Sequence, residues 1–212
     1  MREVYMNELS PIDTHKSATS GLIMVSRDAD PSTLELDHLT ALVESATMAA
    51  IDGALHSGVD MPVGAAVSRD GELLAANYAQ DNLTHNPRAH AEYMAMQLAQ
   101  QKYPGVMPDA IGVTLEPCTM CQNYLAEFPS LKVVAFALPL ASAALRRIVR
   151  PKECTVFERN AREPLPYTVL QIGNQRLTRI GELLLDATTR DIRTGATTID
   201  THRLRQGING LL

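Results

Sequence analysis

The chain has 212 residues, enough to bury a substantial core, and 45% of them are hydrophobic, which is ordinary for a globular protein. A formal charge of −5 offers no global attraction to a polyanion, and with no Trp, three Phe and six Tyr the stacking rings of a single-strand binder are scarce. No stretch approaches the ~20 apolar residues of a membrane span, and the apolar run at 21–25 is shorter than the ~7–15 residues of a signal-peptide core, so no membrane contact and a cytoplasmic, reducing location are expected.

Residues 1–30 mix charges, Ser, Thr and Pro without a sustained period and read as an extension that packs loosely or against a partner. Ser32-Thr33-Leu34-Glu35 has the form of a capping box, after which Leu36, Leu39, Val43, Ala46 and Ala50 recur at helical spacing. Residues 63–69 and 72–77 read as a hairpin, since Asp70-Gly71 between them supplies the positive φ angles of a type I′ turn. A loop over 84–88 leads into a helix over 89–102. Residues 111–115 and 132–137 read as short buried strands and 167–172 as a fifth. Leu177, Ile180, Leu184 and Ala187 then mark an amphipathic helix. Residues 188–212, rich in Thr, Arg and Gly, read as a tail with two roles open: closing over an active site, or reaching another subunit. No internal repeat marks a second domain, and the alternation of strands and helices implies an α/β sandwich with helices covering a central sheet.

Two motifs carry chemistry. His90-Ala91-Glu92 and, further on, Pro117-Cys118-Thr119-Met120-Cys121 together supply one imidazole, two thiolates and a carboxylate. One imidazole and two thiolates are three ligands for a tetrahedral zinc ion, and three rather than four leave a position for water, as in a catalytic site. If both motifs open helices, Cys118 and Cys121 share one face, and the positive helix start favours the thiolates that they must become. Glu92, two residues from a ligand, is placed to accept a water proton and pass it on. A Cys-x-x-Cys pair alone reads equally as a redox couple, and a single His near a helix start is commonly an ordinary core or surface residue. Their combination points to a catalytic zinc site with a proton shuttle beside it. Cys154 lies apart, and three cysteines suggest no disulfide framework.

A longer ordered series surrounds these motifs: Pro62-Val63-Gly64-Ala65-Ala66-Val67, Asp70-Gly71, Asn77, Asn86-Pro87-Arg88-Ala89-His90-Ala91-Glu92 and Thr114-Leu115-Glu116-Pro117-Cys118-Thr119-Met120-Cys121. Over 61–134 the chain resembles the cytidine deaminase-like superfamily of zinc-dependent deaminases, most of all the branch with guanine deaminases, tRNA adenosine deaminases and fungal-type cytosine deaminases. The resemblance implies a three-layer αβα sandwich around a mostly five-stranded mixed sheet, with an N-terminal extension at 1–30, the deaminase domain at 31–187 and a tail at 188–212. It also implies that His90, Cys118 and Cys121 bind zinc, that Glu92 is the proton shuttle, that Asn77 hydrogen-bonds the base, with Asn82 as the alternative, and that the Ala91 backbone amide meets the substrate. Family members usually carry Asp before the proline and Thr or Ser after it, where this chain has Asn86 and Arg88. A homodimer is the oligomer the resemblance implies.

Arg146, Arg147, Arg150 and Lys152 cluster beyond the strand at 132–137. Such a run is more often a solvated helix face than a phosphate contact. The expected activity is therefore hydrolytic deamination of a free amino-substituted nucleobase or related small heterocycle, guanine- or cytosine-like, with release of ammonia. Deamination of adenosine to inosine in tRNA is the alternative enzyme. A catalytically silent zinc-binding module is the alternative outside enzymes, and the intact Glu92 argues against it.

Overall fold

The computed structural model describes residues 21–24, 36–140, 165–190, 196–209 and 211. In chain order these form β1 (Gly21–Met24), α1 (Leu36–His56), β2 (Gly64–Arg69), β3 (Glu72–Tyr78), α2 (Asp81–Thr84), α3 (Ala91–Lys102), β4 (Ala110–Leu115), α4 (Thr119–Leu125) and β5 (Val133–Leu138). There follow β6 (Thr168–Gly173), α5 (Gln175–Asp186), β7 (Thr188–Arg190), β8 (Thr197–Ile199) and α6 (Thr201–Asn209). The capping box at Ser32 to Glu35, the basic cluster of Arg146, Arg147, Arg150 and Lys152, and Cys154 lie outside the described residues.

Alternation of side-chain size along the strands sets the layers. Ile111 and Val113 of β4, with Val134 and Phe136 of β5, face one side and pack with Ala91, Ala95, Met96 and Ala99 of α3. Their neighbours Ala110, Val133, Ala135 and Ala137 face the other side and pack on Leu39, Leu42, Val43 and Ala46 of α1. Of the α1 positions picked out by helical spacing, Leu39, Val43, Ala46 and Ala50 lie on its buried stripe and Leu36, at the helix start, is half-buried. Two glycines let that helix come close: a Cβ on Gly64 would lie 1.9 Å from the Ala46 carbonyl oxygen, and one on Gly112 would lie 2.7 Å from the Leu42 carbonyl carbon.

The sheet order is β1-β6-β5-β4-β2-β3. β4, β5 and β6 run parallel, while β2 and β3 continue the sheet antiparallel on the β4 side. This is the expected three-layer α/β sandwich with its five strands. Asp70 and Gly71 take φ of 49° and 88°, as the hairpin turn requires. Two differences from the sequence reading stand out. Gly21–Met24, assigned there to a loosely packed extension, pairs antiparallel with β6 as a sixth, edge strand. Four residues are too few to display a period, so composition alone hid it. The described residues of the tail are also structured, with β7 and β8 paired antiparallel and Leu204 and Ile208 of α6 buried in a cluster with Ala50, Ile51 and Ala54 of α1.

Candidate active site

Both metal-motif residues stand at helix starts. His90 is the extended residue before α3, with φ −68° and ψ 157°, and Cys118 occupies the same place before α4, with φ −67° and ψ 165°. β4 ends at Leu115, and Glu116 then fastens the connection: its N–H donates to the Leu138 carbonyl at 2.7 Å and its Oε2 accepts from the Leu140 N–H at 2.9 Å. Gln122 holds the next turn from inside, its Nε2 donating to the Pro117 carbonyl at 2.9 Å. The Tyr167 hydroxyl donates to the Gln122 carbonyl at 3.0 Å, tying this turn to the strand side of the core.

The two helix starts bring together His90 Nδ1, Cys118 Sγ and Cys121 Sγ. His90 Nδ1 lies 3.6 Å from Cys118 Sγ and 3.4 Å from Cys121 Sγ, and the sulfurs are 3.5 Å apart. Zinc bonds of about 2.3 Å to sulfur and about 2.0–2.1 Å to nitrogen make tetrahedron edges of roughly 3.5–3.8 Å, so the donor triangle has the size that zinc needs. It is the single His/Cys/carboxylate group of metal-binding geometry among the described residues. The Cys118 thiol is pulled down to about 4, chiefly by the adjoining Cys121 thiol and also by His90, which favours the thiolate that a metal requires. The His90 imidazole is pushed up to about 9, first by its hydrogen bond to Cys118.

Beside this triangle lies a cavity of about 140 Å³. Glu92, Ala91, His90 and Cys118 line it, together with Met61, Val63 and Leu115. Glu92 is 3% exposed, and burial, before any charged neighbour, drives its carboxyl above the usual carboxylate range. A carboxyl so placed holds and releases protons more readily near neutral pH than an exposed one.

The structure does not bring Asn77 to this cavity. Its Oδ1 accepts from the Tyr78 N–H and from Gln80 Nε2, both at 2.9 Å, in the turn that leaves β3. Asn82 is also turned elsewhere, donating from Nδ2 to the Val59 carbonyl at 2.8 Å. Asp81 and Ala79 line the wall instead. The reason for α2 is a long-range contact: the buried carboxylate of Asp60 accepts from the N–H groups of Asn82 at 2.7 Å and Leu83 at 3.3 Å, fixing α2 with Asp81 at the cavity. Arg190 of β7 reaches the same wall from the segment that the sequence offered as an active-site cover. Sequence reasoning missed both Asp81 and Arg190, since neither sits in a motif. The departure at Asn86 is explained: its Oδ1 accepts from the Arg88 N–H at 3.0 Å, which a carboxylate oxygen would do equally.

This fold and donor set define a zinc-binding α/β domain. Residues 39–137 match the family described as the cytidine and deoxycytidylate deaminase zinc-binding region. That match takes in 99 of the chain's 212 residues, His90, Cys118 and Cys121 among them. Among curated proteins, a tRNA(Ile)-lysidine synthase of Thermus thermophilus is 32% identical over 162 residues, covering 72% of this chain. The chain spans 30% of the length of that relative. Among solved structures, a mutant protein in complex with 8-azaguanine aligns with TM-score 0.52 at 21% identity, over 71% of this chain and 82% of that one, a likeness of fold. A guanine deaminase from Bacillus subtilis aligns with TM-score 0.45 at 26% identity, over 50% of this chain and 67% of that one.

Proposed function

We propose that the chain is a zinc-dependent hydrolytic deaminase of a free amino-substituted nucleobase or related small heterocycle, guanine- or cytosine-like, converting the ring C–NH2 and water to C=O and ammonia. The observation that carries this reading is Glu92, buried in the same small cavity as the zinc donors and not one of them. His90, Cys118 and Cys121 would hold zinc, which when bound would supply a water acidified toward neutral pH. Glu92 would take one proton from the attacking water and deliver it to a ring nitrogen so that the ring carbon becomes electrophilic, then carry the second proton, from the hydroxyl added at that carbon, to the departing amine, leaving the ring C=O and ammonia. The Ala91 backbone amide, at the start of α3, is the hydrogen-bond donor nearest this chemistry in sequence. The cavity is smaller than the ~300–1,000 Å³ pockets that take drug-sized ligands, which suits one heterocycle without a sugar. The test is ammonia release by the purified zinc-loaded protein against free bases, nucleosides and tRNA, beside Glu92→Ala. Release from free bases that depends on Glu92 supports the proposal, and its absence from every base defeats it.

A second reading, adenosine deamination in tRNA, is favoured by one finding: the Thermus thermophilus relative is named for a tRNA substrate. Inosine formation in tRNA without free-base turnover would establish it in place of the first.

A further inference from the structure

We propose that Asp81 and Arg190 select the substrate by a cyclic-amide edge, the carboxylate accepting a ring N–H and the guanidinium donating to the adjoining ring carbonyl. This rests on the free-base reading above. Both side chains line the cavity that holds Glu92, His90 and Cys118, and they arrive there from separate parts of the chain. Asp81 opens α2 and Arg190 closes β7.

Each is held by its backbone. Asp60, 2% exposed, grips the two N–H groups that follow Asp81, and the Asn86 N–H donates to the Asp81 carbonyl at 3.0 Å. Arg190 pairs in register with Thr197 of β8, while the Thr188 hydroxyl donates to the Leu184 carbonyl at 2.8 Å and the Asp200 N–H to the Ala187 carbonyl at 2.9 Å. A carboxylate and a guanidinium on one wall, each carried by an anchored backbone, suit a ligand that offers a donor beside an acceptor. Burial first and then Asp60 hold the Asp81 carboxyl above its ordinary range, with His90 and Arg190 opposing them in part. Glu116, the other carboxylate on the lining, is committed to the Leu140 N–H and is left out of the assignment.

Guanine carries N1–H beside its C6 carbonyl, and cytosine carries N1–H beside its C2 carbonyl. Adenine has no ring carbonyl. In 2,6-diaminopurine the reacting 2-amino group of guanine is kept, but N1 is an acceptor and C6 bears an amine, so both halves of the edge are reversed. A site built around buried hydrogen-bonding groups discriminates strongly against such a reversal, because those groups are left unpaired.

The experiment compares kcat/KM for guanine and 2,6-diaminopurine, and for cytosine and adenine, in the zinc-loaded protein and in Arg190→Gln, Arg190→Lys and Asp81→Asn. Wild type should prefer guanine and cytosine. In Arg190→Gln and Asp81→Asn the guanine to 2,6-diaminopurine ratio should fall about 10–100-fold, the scale of one charge-assisted hydrogen bond, with Arg190→Lys recovering part of it. Melting curves identify any variant that has not folded. Equilibrium binding of the same two purines to Glu92→Gln, with and without Arg190→Gln, reads the preference without turnover. An equal loss for both bases, the pattern of a merely structural role, would overturn the assignment, as would a wild-type preference for 2,6-diaminopurine or adenine. Free-base turnover with unchanged ratios defeats this inference alone, whereas Glu92-dependent conversion of tRNA adenosine with no free-base turnover defeats the free-base reading as well.

Discussion

Glu92 combines complete burial with a carboxyl that chemistry needs in both protonation states. Burial raises its pKa, so the native state binds more protons than the unfolded chain once pH exceeds the ordinary carboxylate range. Stability contributed by this residue therefore falls as pH rises through that window, and its ionisation costs the fold at neutral pH. In the metal-free protein, Glu92→Gln should melt at or above the wild-type temperature at pH 7, the gain shrinking toward acid. A lower melting temperature at pH 7 than at acid, relative to wild type, would contradict the sign. Glu92→Ala should lose at least ~10²–10⁴-fold in turnover, the usual scale for a general acid–base, with metal retained. Near-normal ammonia release would remove the proposed shuttle.

At the scale of elements, the site is the meeting of two helix starts. Cys118→Ala or Cys121→Ala leaves two donors, so metal content and activity should fall together. Stoichiometric zinc in either variant, read by metal analysis, would show that the donor set of His90, Cys118 and Cys121 is wrong. The sheet that carries β4 to Cys118 depends on close approach of α1. Gly112→Ala drives a methyl group against the α1 backbone, where no flexible side chain can yield, and should cost roughly 1–3 kcal/mol or more in denaturant unfolding. An unchanged unfolding midpoint would mean that α1 shifts freely over the sheet.

For the whole molecule, charge bears on substrate size. The net charge is −5, and Tyr93, Tyr124 and Phe128 pack on one another, with ring centroids 5.0 and 5.1 Å apart, without lining the cavity. Weak polynucleotide binding follows. Affinity for single-stranded RNA should show little dependence on salt, whereas each phosphate contact would add a slope near −0.7 in the logarithmic plot. A steep slope with efficient tRNA conversion would favour the second reading. No described helix is long and apolar enough to cross a membrane.

The sequence by itself determined what short spacing can encode. The positions of His90, Glu92, Cys118 and Cys121 announced the zinc donors and the nearby carboxylate, and the period of α1, the Asp70-Gly71 turn and five strands were legible because hydrophobic periodicity and turn chemistry act over a few residues. Tertiary structure alone decided the cavity wall. Asp60 is 21 residues from Asp81 along the chain yet fixes α2, which carries Asp81 on the cavity wall. Arg190 reaches that wall only because β7 pairs with β8 and is anchored behind α5. Likewise Gly21–Met24 is a strand because β6 offers an edge to pair with, a long-range hydrogen-bonding opportunity that four residues cannot display on their own.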